Sequence, residues 1–314
     1  LTRRANIAIG VGSSGMAAFI LTAFSKLQPF NMYLGERINM LAEGTPSLTN
    51  PYTLSEGSKS WTWQGEKCVL SSNSQVGKKI NVNQCTIGDF LASQKRILVL
   101  GNSFSPAFTH AFDRLVLKKG YSVTITSSWG ASPIKGVPNE GAWAKANNYY
   151  WDSVAPNLID RLQEGDIVFL VNDMAEFSPD PKTDESSKRL RALESGLSRL
   201  SGQLRQKGIF MAILHGNPFA REAGCTPQSA SRQWFSRVNN EKCRIPDREE
   251  TQRRRKDLDS LLIRLQKRSH VIVVDLLDIF CPGKKCTYFS GNGKLLYRDE
   301  WLSLIHISEP TRRY

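Results

Sequence analysis

Histidine and acidic residues are both scarce in this chain. Only four histidines occur in 314 residues, at positions 110, 215, 270 and 306, and they do not cluster. No two cysteines have CxxC spacing. These absences argue against a zinc site, which needs grouped Cys and His ligands. Glycine and proline stand at ordinary levels (23 and 14), which excludes collagen-like and low-complexity architecture. No internal repeat is visible. The acid deficit, 29 Asp and Glu against 42 Lys and Arg, gives a formal charge of +13. Such a charge favours anionic neighbours: lipid head groups, acidic glycans or nucleic acid. With 40% hydrophobic and 23% charged residues the chain is not broadly disordered. Its length suits one large α/β domain or two small ones, enough to bury a core.

The chain begins at Leu1 and reads as a fragment or a processed product. Ala5 through Ser25 carries no charge. That stretch reaches roughly 30 Å as a helix, the thickness of a bilayer's hydrocarbon core. Gly10, Gly12, Ser13, Ser14 and Gly15 interrupt its apolar character, as in membrane helices that pack closely on one another. Arg3 and Arg4 precede it, so the positive-inside bias puts residue 1 in the cytoplasm and residues 27 onward outside. A transmembrane helix over 1–26 is the expectation; a signal peptide and a buried soluble helix are the alternatives. The six cysteines fall into three sequence-local couples, Cys68–Cys85, Cys225–Cys243 and Cys281–Cys286. Disulfides in an oxidising compartment are expected from that proximity, with buried free thiols as the alternative.

Residues 27–94 are rich in Ser, Asn, Gly and Thr and read as an extracytoplasmic linker packed on the next domain. Short strands are expected around Trp61–Trp63 and Lys79–Val82. From residue 95 onward, apolar runs alternate with helical stretches. The runs are Ile97–Leu100, Val123–Ile125, Ile167–Val171, Ile209–Leu214 and Val271–Val274. Continuous short runs suit strands buried on both faces of a parallel sheet. Helices are expected over Pro106–Lys119, Asp184–Gln206 and Asp247–Arg268, the last with Leu258, Leu261, Leu262 and Leu265 at helical spacing. The pattern predicts an α/β domain with a three-layer, flavodoxin-like sandwich and a mostly parallel sheet. In such sheets ligands sit beyond the carboxyl ends of the strands.

Three strand ends hold candidate chemistry. Gly101-Asn102-Ser103 follows the first strand, and a helix follows at once. Ser103 is either a nucleophile beside unpaired backbone N–H groups or a helix cap. The segment is not a GxSxG elbow. Gly130 follows the second strand in Ser127-Ser128-Trp129-Gly130, and Asn172 follows Ile167–Val171. Singly, one is a turn glycine and the other a strand-end residue. In the order nucleophile, glycine, asparagine they describe a three-donor oxyanion hole: the N–H groups of Ser103 and Gly130 and the Asn172 amide.

These blocks resemble the SGNH (GDSL-type) hydrolases. Gly101-Asn102-Ser103 stands for the family's Gly-Asp-Ser, with Asn in place of Asp. Leu170-Val171-Asn172-Asp173 stands for Gly-x-Asn-Asp, with Leu in place of Gly. The last block, Asp-x-x-His, begins at Asp299, but Leu302 occupies the position of the base. Residues 302–312 look like the translation of a transposon sequencing adaptor. The native frame is expected to end near Trp301, with His as its next residue, and 302–314 to be a non-native tail that leaves this chain nearly inactive. His306 and His215 are the alternative bases; His110 and His270 have bland readings in or beside helices.

A narrower resemblance spans nearly the whole chain. A membrane helix (1–26), a polar linker (27–94) and an SGNH domain (95–301) are similar to the C-terminal part of membrane-bound acyltransferase family 3 proteins. It implies serine-dependent O-acyl, commonly O-acetyl, transfer to cell-surface polysaccharide through an acyl-serine, with no cofactor or metal. It implies, as partners, an acyl donor, a surface glycan acceptor, the membrane and an N-terminal membrane acyltransferase domain absent from this chain. The location implied is the inner (cell) membrane, with the SGNH domain in the periplasm or extracytoplasmic space. A secreted or anchored SGNH carbohydrate esterase and a non-catalytic glycan-binding SGNH-like domain are the alternatives. The aromatic segment Trp143–Trp151 reads as core or as a sugar-stacking loop, and Arg253–Lys256 as a solvated helix face or an anion contact. Basic residues are spread along the chain and the expected compartment is wrong for nucleic acid, which is not an expected partner.

Overall fold

The computed structural model describes residues 67–109, 111–112, 115–116, 120–139, 141–178, 182–218, 245–268 and 270–286. Eight strands are present among them: β1 (Val69–Leu70), β2 (Thr86–Ile87), β3 (Lys95–Gly101), β4 (Tyr121–Ile125), β5 (Ser127–Ser128), β6 (Ile167–Val171), β7 (Phe210–Leu214) and β8 (Val271–Val274). The main sheet runs β2-β4-β3-β6-β7-β8. Its last five strands are mutually parallel, and β2 is antiparallel to β4. In order of appearance the parallel strands read 2-1-3-4-5, the flavodoxin-like arrangement. A small parallel pair, β1 with β5, lies beside it.

The continuous apolar runs explain the layers. Along β3, Leu98 and Leu100 join one core, while Ile97 and Val99 join the other. Successive strand residues face opposite sides, so a strand buried on both must be apolar throughout. The first core packs the sheet against α1 (Ala144–Tyr149), a π turn (Tyr150–Val154), α2 (Ala155–Ile159), α3 (Asp184–Gln206) and α4 (Arg248–Gln266). The second packs it against Phe104, Phe108, Phe112 and α5 (Leu277–Phe280). Together they make the three-layer sandwich.

Local chemistry sets the long helices. Thr183 accepts the Ser186 N–H at 3.0 Å, and the Ser186 hydroxyl accepts the Thr183 N–H at 3.0 Å, a reciprocal cap on α3. Asp184 and Glu185 occupy the first turn, where negative charge complements the helix dipole. Leu193, Leu197, Leu200 and Leu204 form the buried stripe. Asp247 caps α4 by accepting the Glu250 N–H at 2.9 Å.

Several expectations change. Lys79–Val82 is not a strand; β1 and β2 lie to either side of it. Residues 67–94, read from sequence as the end of a linker, contribute both of those strands, and β2 extends the main sheet. Cys68–Cys85 and Cys281–Cys286 are disulfides. Cys225–Cys243, the Trp61–Trp63 strand and the segment 1–26 lie outside the described residues. Among the described residues no helix is long and apolar enough to cross a membrane. The helix expected to begin at Pro106 opens as a 3-10 turn, Ser105–Phe108. Trp143–Trp151 is not a loop: it enters α1 and the π turn, with Tyr150 and Trp151 buried in the core.

The basic run also divides. Arg255 is only 8% exposed, pairing with Asp275 and, at 3.1 Å, with Asp259. Arg254 pairs with Glu250. The run is therefore not a uniformly solvated face.

Candidate active site

The sheet's register brings the candidate loops to one edge. Gly101, the last residue of β3, is the register partner of Val171, the last residue of β6. Ser103 follows the first by two positions and Asn172 follows the second by one. On the other side β3 pairs with β4, and the Thr126 N–H donates to the Val99 carbonyl at 3.0 Å. Gly130 follows β5, which β1 holds through Ser127 N–H to Cys68 O (3.1 Å) and Trp129 N–H to Leu70 O (2.9 Å). Ser103, Gly130 and Asn172 thus follow the carboxyl ends of neighbouring chain segments. Asp299 and Leu302 lie outside the described residues, as do His110 and His306.

The Ser103 turn is tight. A Cβ added to Gly101 would stand 1.8 Å from the Val171 carbonyl oxygen, so any side chain there would force β3 off β6. Asn102 Oδ1 accepts the Phe104 N–H at 3.0 Å, and the Ser105 hydroxyl donates to Val171 O at 3.3 Å. Asn102, not Ser103, therefore takes the local N–H, and the reading of Ser103 as a cap loses its basis. The 3-10 turn has no side-chain cap. The half-buried Ser103 hydroxyl has no hydrogen bond to a described residue. Asn102 also performs, with a neutral amide, the turn-closing role open to the family's usual Asp.

Asn172 is 2% exposed, and both atoms of its amide are buried without a hydrogen-bond partner among the described residues. Buried amides are almost always paired. One left open beyond a strand's carboxyl end is suited to a ligand oxygen that arrives later. Gly130 has φ +59°, and a Cβ there would meet Trp143 Cε3 at 2.9 Å. Both its backbone shape and its neighbour demand glycine. Leu170, in place of the family's glycine, is fully buried in the first core.

Two histidines separate clearly. His270 precedes β8 and stacks on Phe210, at the edge opposite Ser103. His215 follows β7 at the same edge as Ser103 but is 3% exposed, its Nε2 2.7 Å from Asp259 Oδ1. Asp259, Arg255 and Asp275 continue that contact into an ion network joining β7, α4 and the turn after β8.

Glu176 lies in the 3-10 turn Met174–Phe177 that follows Asn172. Arg189 donates to its carboxylate at 2.9 Å and to the Pro138 carbonyl at 2.9 Å, tying that turn to the loop after Gly130. Desolvation pushes the Glu176 carboxyl up to about 7, with Arg189 opposing and Asp173 adding to the rise. A carboxyl whose native pKa exceeds its unfolded value of 4.5 binds its proton more tightly when folded. Stability is then highest below about pH 4.5 and declines as pH rises to about 7. The side chain keeps 40% exposure, so solvent screens part of the effect and the slope is small. Urea unfolding of Glu176→Gln should lose that slope between these pH values and leave it intact elsewhere.

Sequence reasoning missed Asn147 and Tyr150, which reach this edge from α1 and the π turn. No local signal marks them, because their hydrogen bonds run to partners 17 and 49 positions away.

The family model described as an SGNH domain (fused to AT3 domains) matches residues 67–301. The chain belongs to this family. The match begins one residue before Cys68, so β1 and β2 fall inside the SGNH domain. No curated protein matches the sequence. Among solved structures, the periplasmic domain of a lipopolysaccharide acetyltransferase from Salmonella ser. Paratyphi A is 13% identical to this SGNH chain, with a TM-score of 0.48. That likeness covers 77% of this chain and 86% of the other. An acetylxylan esterase from Geobacillus stearothermophilus is 12% identical, with a TM-score of 0.35, over 60% of this chain and 78% of the other.

Proposed function

We propose that this SGNH domain transfers an acyl group, an acetyl group in the first instance, to a cell-surface polysaccharide through an acyl-serine. The observation that carries the reading is the buried Asn172 amide, without a hydrogen-bond partner among the described residues, at the sheet edge where the Ser103 hydroxyl also has none among them. A serine hydroxyl is a weak nucleophile until a base takes its proton. In the family's pattern that base is a histidine three residues after the acid, so Asp299 would orient an imidazole at position 302. Ser103 Oγ attacks the acyl carbonyl, its proton passes to the base, and the carbonyl oxygen becomes an oxyanion. The N–H groups of Ser103 and Gly130 and the Asn172 amide receive that charge. Collapse expels the donor's alcohol, which takes the proton. A sugar hydroxyl then repeats the attack on the acyl-serine; water in its place makes the domain an esterase.

The two disulfides and fusion to AT3 domains within the family support work outside the cytoplasm, beside a membrane domain. A membrane helix over 1–26 would tether it there.

Without a base to activate the acceptor, an activated ester should leave its acyl group on the enzyme. Incubation with p-nitrophenyl acetate, followed by peptide mass spectrometry, should find one acetyl group on the peptide containing Ser103. Ser103→Ala should lose that mark. Acetylation that shows no preference for Ser103 would overturn the nucleophile assignment.

A further inference from the structure

We propose that Asn147 and Tyr150 form a buried brace that sets the Gly130 loop against the Ser103 loop, and so fixes the spacing of the oxyanion donors. The inference rests on the functional reading above and adds two positioning residues to it. Neither touches the reacting atoms.

Both residues are almost fully buried, Asn147 at 2% and Tyr150 at 0% exposure. They stand three apart, where helical side chains share a face. Each spends its polar atoms on one of the two loops. Asn147 Nδ2 donates to the Gly130 carbonyl at 3.1 Å, and its Oδ1 accepts from the Ser128 hydroxyl at 2.5 Å. Holding the carbonyl of Gly130 fixes the backbone of the residue whose N–H is the proposed donor. Asn139, on the loop between, donates to the same carbonyl at 2.5 Å.

Tyr150 reaches the other loop. Its hydroxyl oxygen accepts the Gly101 N–H at 3.3 Å, two residues before Ser103. It also lies 2.9 Å from Thr126 Oγ1, whose own hydroxyl donates to Val99 O at 3.3 Å. The chain of donors is therefore Tyr150 to Thr126 to Val99, with Gly101 donating to Tyr150. Burial raises the phenol's pKa, so it keeps the proton that this chain needs. The helix widens into its π turn at Tyr150. Such turns are uncommon and recur at functional sites. Packing alone would be satisfied by Phe and Leu at these positions. The observed side chains instead bond to the two loops that carry Ser103 and Gly130.

Two readouts on the full chain test the brace. The first is the rate constant for acetylation of Ser103 at saturating p-nitrophenyl acetate. Asn147→Asp keeps an acceptor for Ser128 but places a carboxylate oxygen against the Gly130 carbonyl. Tyr150→Phe keeps the ring and removes the hydroxyl. Each should lower the rate constant by about tenfold or more, with little change in the half-saturating ester concentration, because small misplacements of donors cost rate more than binding. Leu197→Ala, a truncation in the same core at a side chain that makes no hydrogen bond to either loop, is the control for lost stability. It should lower the melting temperature and keep the rate constant. The second readout is amide hydrogen exchange, which should quicken over residues 126–131 in Asn147→Asp but not in Leu197→Ala. Unchanged exchange in Asn147→Asp overturns the brace whatever the kinetics. So does faster exchange with an unchanged acetylation rate, or a rate that follows melting temperature across all three variants. If the unmodified chain shows no preference for Ser103, the active-site reading fails on its own and exchange alone judges the brace.

Discussion

Replacing Leu302 by His should raise the steady-state turnover of p-nitrophenyl acetate by about 10²–10⁴-fold, the usual contribution of a positioned general base. Asp299-Glu300-Trp301 matches the start and spacing of an Asp-x-x-His block, and Leu302 stands where that block has its His. In the proposed mechanism a leucine at 302 cannot accept the Ser103 proton, so we expect slow acylation and an acyl-enzyme whose acceptor is not activated from that position. An imidazole there answers both needs, first as base and then as acid. The gain should vanish in the Ser103→Ala background and shrink in the Asp299→Asn background, where the ring loses its orienting charge. A stopped assay at several pH values decides it. A gain that survives loss of Ser103 would mean that the new imidazole hydrolyses the ester directly, and the serine mechanism would fall.

Asn172→Ala should separate activity from stability. In the Leu302→His background we expect turnover to fall about 10²–10³-fold, the cost of one oxyanion donor, or roughly 3–4 kcal/mol in the transition state. Thermal stability should hold or rise. Both amide atoms of Asn172 are buried without a hydrogen-bond partner among the described residues, so truncation sacrifices no native hydrogen bond to them. It also relieves the desolvation cost of an unsatisfied group. Melting curves and turnover on the same preparations make the comparison. A lower melting temperature with unchanged turnover would mark Asn172 as a structural residue and remove the third donor from the mechanism.

Legibility in the sequence followed the strength of the local signal. Ile167–Val171, Val271–Val274 and Asp184–Gln206 are elements with the boundaries read from sequence, because unbroken apolar runs and a sustained leucine stripe leave little choice. β1 and β2 are two residues long and owe their existence to partners 58 and 38 positions away, so no periodicity announces them. The 144–159 helical segment was hidden by aromatic and Asn residues of modest helix propensity and by Pro156, which sits at the start of α2. Arg255 shows the opposite failure. Its basic neighbours suggest solvent, yet it precedes Leu258 by three and Leu262 by seven, which places it on the buried stripe. In the site, residues at strand ends could be found because parallel sheets put chemistry there. Asn147 and Tyr150 could not, because their roles are long-range hydrogen bonds across 17 and 49 positions.

The clasp between Cys68 and Cys85 has a bearing on how the protein can be made. Each cysteine immediately precedes a two-residue strand, β1 or β2. Among the described residues, the two residues of β2 are the strand pairing along the outer rim of β4. In a reducing cytosol the clasp would stay open and that pairing would rest on a ladder too short to hold alone. Tyr121–Ile125 would then offer its free backbone groups to any neighbouring chain, the usual beginning of aggregation through an uncapped rim.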